Sequence, residues 1–281
     1  MMSNQDDWRG MVEQVRRTGT ARGRAGSGWF SIEGIRLHER ALRAGWQVES
    51  AVLGQSFGLA ASSRIQTLIH DLEKVGCRLV TVPDEVMVEL TGGRDLGAII
   101  GLLQIPDPPA LNDVVAGGTY GAPLLLVAAD VKDPGNTGAL MRTALAAGAT
   151  AFVACGISDP YHPKALRTSM GSLFKLPVLT AANTEDLLAE LSASGIQSIG
   201  LAIDGDVLLE EAGYAERGAA VLVGSEAWGL AAGTQNAVDC LVSIPMAEGV
   251  DSYSVNAAAA IALYELGRRR AVGQSGAEKR S

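Results

Sequence analysis

Cysteine is scarce in this chain of 281 residues, and the three present, Cys77, Cys155 and Cys240, have no C-x-x-C spacing. An odd, scattered set suggests neither a disulfide framework nor a zinc site, so a reducing, cytoplasmic setting is expected. Histidine is equally sparse. His38, His70 and His162 lie at no metal-ligand spacing and in no nucleophile–base pattern, so surface or satisfied structural roles are expected of them, and no metal. No apolar run reaches the roughly 18 residues that cross a bilayer. The opening M-M-S-N-Q-D-D-W-R-G lacks the apolar core of a signal peptide, and no membrane partner is expected. G-x-G-x-x-G and G-K-[ST] are both missing, which weakens the dinucleotide and P-loop readings. Internal repeats and low-complexity tracts are missing too.

What is present is apolar residue, at 47%, enough for two ordinary domains with real cores. The formal charge of −8 argues at first against a nucleic-acid partner, but its distribution is uneven. Residues 16–43 hold seven arginines against Glu33 and Glu39, a local +5. Screening over about 8 Å isolates such a limb from distant charge, so it could grip phosphates. A solvated arm is the plainer alternative.

Residues 1–28 read as a basic N-terminal arm: a possible amphipathic helix over 2–18, then a Gly-rich flexible join. Residues 29–105 read as a small α/β domain. Its strands are expected at 29–32, 48–53, 78–82 and 98–104, and its helices at 35–44, after Ser62 and after Pro83. Residues 106–122, rich in Pro and Gly, read as a linker with room for one short helical turn. From 123 to 270 the apolar runs lengthen. Segments 124–128, 151–155, 199–203, 220–223 and 241–244 are near-continuous, the mark of a parallel sheet covered on both faces. Helices are expected at 137–147, at 185–194 and at the end, where Gly267 stands as a C-cap before Arg268, Arg269 and Arg270. A disordered tail is expected over 271–281.

Four segments carry chemistry. In D-V-K-D-P-G-N-T-G-A-L-M-R, a polar Gly/Pro loop leads from a strand end into a helix, where open α/β sheets bind ligands. Asn136 lies near the helix start, and Arg142 lies inside an otherwise apolar helix. A buried arginine needs a partner or a function, and a bridge to a carboxylate such as Glu226 is the structural alternative. In D-P-Y-H-P-K-A-L-R-T-S-M-G-S-L-F-K-L-P, Lys164, Arg167 and Lys175 fit an RNA backbone, a subunit contact or a solvated face equally. In V-L-V-G-S-E-A-W-G-L, glycines flank Glu226, which suggests close backbone approach around a fixed acid. The last, I-P-M-A-E-G-V-D-S-Y-S-V-N-A-A-A-A-I-A-L-Y-E, is a strand end, a small-residue loop and an Ala-rich helix that would let a ligand reach backbone groups.

Together these segments resemble the SpoU family of SPOUT RNA ribose 2′-O-methyltransferases, over about residues 122–267. The likeness rests on N-x-G-x-x-x-R at Asn136, Gly138 and Arg142, on Gly224 to Leu230, and on I-P-M with its Ser-rich loop and A-x-A-I-x-L-Y-E. Residues 29–105 are similar to the family's substrate-binding domain, which shares a fold with certain ribosomal proteins, through F-x-I-E-G-x-R and A-L-R-A-G. The resemblance implies an α/β chain whose C-terminal parallel sheet carries a deep trefoil knot, a homodimer, S-adenosylmethionine as methyl donor and RNA as partner. It implies cofactor contacts at Leu201, Ala202, Gly224, Ile244 and Tyr253, and a catalytic set of Asn136, Arg142, Glu226 and Ser252. The run departs from the family at Ser254, where an asparagine is usual. Asn256, two places on and about 200° round a helix, is not expected to replace it. Ribosomal RNA is the expected substrate; a tRNA target and a catalytically idle RNA-binding paralogue are the alternatives.

Overall fold

The computed structural model describes residues 7–59, 62–94, 96–116, 122–213 and 218–278. The chain divides into two compact units, Met1–Asp107 with Tyr161–Phe174, and Pro108–Pro160 with Lys175–Ser281.

The first unit begins with helices α1 (Asp7–Thr18) and α2 (Ala21–Ser27). It continues through β1 (Trp29–Glu33), α3 (Ile35–Arg43), β2 (Ser50–Gly54), α4 (Gln55–Leu59), α5 (Ser63–Lys74), β3 (Arg78–Val82), α6 (Asp84–Thr91) and β4 (Ile99–Gln104). The four strands form one sheet in the order β1-β4-β2-β3, in which only β2 and β3 run parallel.

The helix expected over 2–18 is present as α1 from Asp7, and the flexible join expected after it is corrected: Ala21–Ser27 is a second helix. Met11, Val12 and Val15 of α1 are buried in one apolar cluster with Val52, Ile100 and Leu102 of the sheet. Thr20 caps α2 by accepting the Gly23 amide. A Cβ on Gly23 would lie 2.0 Å from the Arg17 carbonyl oxygen, so this glycine serves close packing rather than flexibility. Of the basic limb only Arg24 is buried, while Arg16, Arg17, Arg22, Arg36 and Arg43 are exposed. Arg24 is 3% exposed and donates to the Thr18 carbonyl at 2.6 Å, while Arg16 pairs with Glu89 at 2.8 Å. Residues 1–6 lie outside the described ones.

Helix α7 (Leu111–Ala116) opens the second unit, inside the stretch expected as linker, of which 117–121 are not described. It is followed by β5 (Leu124–Ala129), α8 (Pro134–Ala146) and β6 (Ala151–Cys155). The chain then returns to the first unit for α9 (Pro163–Ser169) and a 3-10 turn at Ser172–Phe174. There Glu33, 9% exposed, accepts from Arg94 at 2.9 Å and from Arg167 at 3.1 Å. Tyr161 packs on Phe30 and Phe174 on Trp46, with ring centroids 5.1 and 5.3 Å apart. Arg167 of the basic stretch is thus a structural ion pair, and a boundary that kept 123–270 as one block is corrected at 161–174. His162 caps α9, its Nδ1 accepting the Lys164 amide at 3.0 Å. His38 is fully buried, its Nδ1 donating to the Gly34 carbonyl at 2.8 Å.

The second unit closes with β7 (Val178–Ala181), α10 (Thr184–Ala193), β8 (Gln197–Leu201), β9 (Val207–Leu208), β10 (Ala219–Val223), α11 (Ala232–Ala237), β11 (Cys240–Ser243) and α12 (Val255–Glu278). Its seven strands are all parallel, in the order β7-β6-β5-β10-β8-β11-β9. Every residue of β5, β6 and β10 is buried, as strands covered on both faces require. The end of the chain differs from expectation. Gly267 has no positive φ and ends nothing. Leu263 and Leu266 are buried, Glu265 pairs with Arg268 and Arg269 across one turn, and the helix passes through the expected tail to Glu278.

Candidate active site

Parallel strands converge at their carboxyl ends, and here β8, β10 and β11 end around one pocket of about 370 Å³. Leu201 and Ala202 line it at the end of β8, Gly224 at the end of β10, and Ile244 and Tyr253 on the segment after β11. Glu226 and Ser252 stand in the same wall. Seven of the nine residues singled out in the sequence therefore meet at one cavity. Asn136 joins them through Glu226. Arg142 is not among the walls.

The loop after β10 is shaped by its glycines. Ser225 and Gly229 exchange two backbone hydrogen bonds, at 2.9 and 2.8 Å, and Gly229 takes the left-handed φ of +65°. A Cβ on Gly224 would lie 2.0 Å from the carbonyl carbon of Gly229, so no larger residue fits. This tight turn presents Glu226 to the loop before α8. That second loop is itself fastened. Asp130, at φ +55°, accepts the Ile157 amide at 3.2 Å, and the Val131 amide donates to Ser158 Oγ at 2.9 Å. Asp133 caps α8 by accepting the Gly135 amide at 2.7 Å, with Pro134 in the first turn.

Between the two loops Glu226 is held by donors. Asn136 Nδ2 donates to its Oε1 at 2.8 Å, the Asp133 amide to Oε1 at 3.3 Å and the Lys132 amide to Oε2 at 3.4 Å. Burial pushes this carboxyl up, but the hydrogen bonds together outweigh it and hold the group below its ordinary 4.5. The arginine bridge weighed from sequence is not formed. Arg142 is exposed on α8, and its guanidinium makes no hydrogen bond or ion pair with the described residues; the expectation of a buried side chain is corrected. The backbone amides of Lys132 and Asp133 hold Glu226 instead.

The start of α12 completes the site. Ser254 precedes the helix, and its Oγ accepts the Ala257 amide at 3.3 Å as an N-cap does. Asn256 Nδ2 donates to Asn136 Oδ1 at 3.1 Å. That contact was missed in the sequence, where the one signal was an amide beside a run of alanines. Asp204 and Trp228 also line the pocket and were not foreseen. Among the described residues, no three His, Cys, Asp or Glu side chains gather as a metal site would need.

Residues 123–264 match the SpoU rRNA Methylase family, and residues 11–95 match the MRM3-like substrate binding domain. The chain belongs to the SpoU rRNA methylase family. Among SpoU-like relatives, an uncharacterised tRNA/rRNA methyltransferase of Mycobacterium leprae is 32% identical over 238 residues, covering 82% of this chain and 74% of its own. The 23S rRNA (guanosine-2′-O-)-methyltransferase RlmB of Ralstonia nicotianae is 31% identical over 210 residues, covering 74% and 84%. Among solved structures, the SpoU methyltransferase AviRb from Streptomyces viridochromogenes, in complex with AdoMet, superimposes with a TM-score of 0.81 at 25% identity. That match spans 92% of this chain and 97% of AviRb. The second match, over 11–95, begins inside α1, in keeping with the helical N-terminus and its place in the first unit's core.

Proposed function

We propose that this chain transfers the methyl group of S-adenosylmethionine to a ribose 2′-hydroxyl of ribosomal RNA. One observation carries the reading: a Glu226 carboxyl held by three hydrogen-bond donors in the wall of a pocket formed by the carboxyl ends of three parallel strands. The pocket fits the cofactor chemically. Its apolar lining includes Leu201, Ile244 and Met246, its strand ends offer backbone groups, and Asp204 and Glu226 favour a cation over an anion. The relation to RlmB and to AviRb supports the same donor and acceptor.

The bound cofactor supplies a methyl on a positively charged sulfur, an electrophile that needs alignment more than activation. Alignment alone is worth about 7–11 kcal/mol. Leu201, Ala202, Gly224, Ile244 and Tyr253 hold the cofactor, and Ser252 and Glu226 face the acceptor. Arg142 does not take the hydroxyl proton, because a guanidinium keeps its own above pH of about 12. Exposed on α8, it clamps an RNA phosphate and lowers the cost of charge growing on the 2′-oxygen, whose proton passes to water. Asn136 orients Glu226.

The protein acts as a homodimer in the cytoplasm, and its second unit follows the trefoil-knotted path of its family. Sedimentation equilibrium giving a single species of one chain mass would sink the dimer. For the reaction, ribose methylation is mapped by mass spectrometry in RNA from a deletion strain. Loss of one 2′-O-methyl from ribosomal RNA is expected. Loss from tRNA would move the substrate, and an unchanged map with no cofactor binding by calorimetry would favour the idle paralogue.

A further inference from the structure

Three side chains from three separate segments form one hydrogen-bonded row: Asn256 at the start of α12, Asn136 in the first turn of α8, and Glu226 after β10. The row has a fixed polarity. A carboxylate only accepts, so Asn136 must turn its NH₂ toward Glu226 and its oxygen away. That oxygen then needs a donor, and Asn256 supplies one by presenting its own NH₂. The orientation of each amide follows from the charge at the end of the row.

Asn256 gains little for the helix from this arrangement. Its Oδ1 is buried with no hydrogen-bond partner among the described residues. An unpaired buried acceptor is a cost, and alanine, which follows at 257–260, is the better helix former. Capping of α12 falls to Ser254, whose Oγ accepts the Ala257 amide. The amide at 256 thus has no work in ending or capping the helix, and its one hydrogen bond goes to Asn136.

We infer that Asn256 is a positioning residue, whose side-chain amide locks Asn136 and through it fixes Glu226 for the methyl transfer proposed above, on which reading the inference rests. Asn136 has its oxygen and one of its N–H groups taken inside the row, so its part is to hold the carboxylate. Glu226 meets the ligand with both oxygens held, Oε1 by two donors and Oε2 by one, and the Asn136 bond is the shortest of the three. The charged residues on the elements around it are Asp130, Lys132 and Asp133 on the loop before α8, Arg142 on α8 and Asp204 across the pocket. Substitution at 256 leaves all of them in place.

The deciding measurement, a titration, needs no knowledge of the RNA target. The Glu226 carboxyl carbon is titrated by ¹³C NMR in the wild type, Asn256→Ala, Asn256→Asp and Asn136→Ala proteins, with the double Asn136→Ala/Asn256→Ala variant as control. Asn256→Ala should raise the Glu226 midpoint while the melting temperature stays level or rises. Asn256→Asp should raise it further, because an aspartate cannot donate to Asn136 and draws its NH₂ away. In the Asn136→Ala background, Asn256→Ala should add nothing, as members of one row do not act additively. An unmoved midpoint in Asn256→Ala, or full additivity in the double variant, overturns the inference. Turnover on unmethylated ribosomal RNA transcripts should fall between about tenfold and a hundredfold in Asn256→Ala with unchanged cofactor affinity. Wild-type protein that binds no S-adenosylmethionine would instead overturn the proposed function, and the NMR outcome would still judge the row.

Discussion

Glu226 carries a negative charge into a pocket proposed to hold a cation, and its donors decide at which pH it does so. With its folded value below 4.5, its contribution is complete above that pH and fades only as the pH falls through the lowered value. Between pH 5 and 8, a pH profile of kcat/KM should therefore show no limb that Glu226→Gln removes. His38 titrates with the opposite charge but the same direction in stability. Burial pushes it from 6.5 down to about 4, so between those values the unfolded chain binds the extra proton. Stability is full above 6.5 and declines toward pH 4, by at most about 3 kcal/mol. Urea unfolding across pH 7 to 4 should show that decline, and His38→Gln should flatten it. Arg142 supplies the sharpest test of the chemistry. Arg142→Ala should lower kcat by roughly a hundredfold to a thousandfold. Arg142→Lys should recover only part, because an ammonium lacks the planar fork; near-full turnover in the lysine variant would end the clamp reading.

At the scale of elements, the loop after β10 is closed by tight backbone packing at Gly224. Gly224→Ala would force Gly229 and Leu230 away from a backbone contact that leaves no room for a methyl group. Cofactor affinity measured by calorimetry should fall at least tenfold, and the variant should melt at a lower temperature. Elements of this kind were legible in the sequence wherever one rule dominated. The strands β5, β6 and β10 announced themselves because burial on both faces leaves an unbroken apolar run. Helix α2 did not, since A-R-G-R-A-G-S reads as flexible until Gly23 is seen against the Arg17 carbonyl. Strands β7 and β9, of four and two residues, are too short for periodicity. Arg142 seemed embedded because Ala146, four residues on, shares its exposed side and adds no polar marker. In the site, the glycines and the acid of the β10 loop stood out by type. The bond from Asn256 to Asn136 spans 120 positions, and no local pattern reports a pairing at that distance.

For the whole molecule, the deciding feature is that Tyr161–Phe174 belongs to the first unit. Glu33 is nearly buried there between Arg94 and Arg167, and removing one partner of such a cluster leaves charge uncompensated. Glu33→Ala should cost about 3 kcal/mol in denaturant unfolding. Arg167→Ala should cost less, because Arg94 still faces the carboxylate. The chain consequently passes between its two units three times rather than once. The first 107 residues by themselves would lack the rings that cover Phe30 and Trp46. Exchanging the recognition unit between relatives is therefore a two-piece transplant, in which a fourteen-residue patch encoded inside the methyltransferase half must travel with its distant N-terminal host.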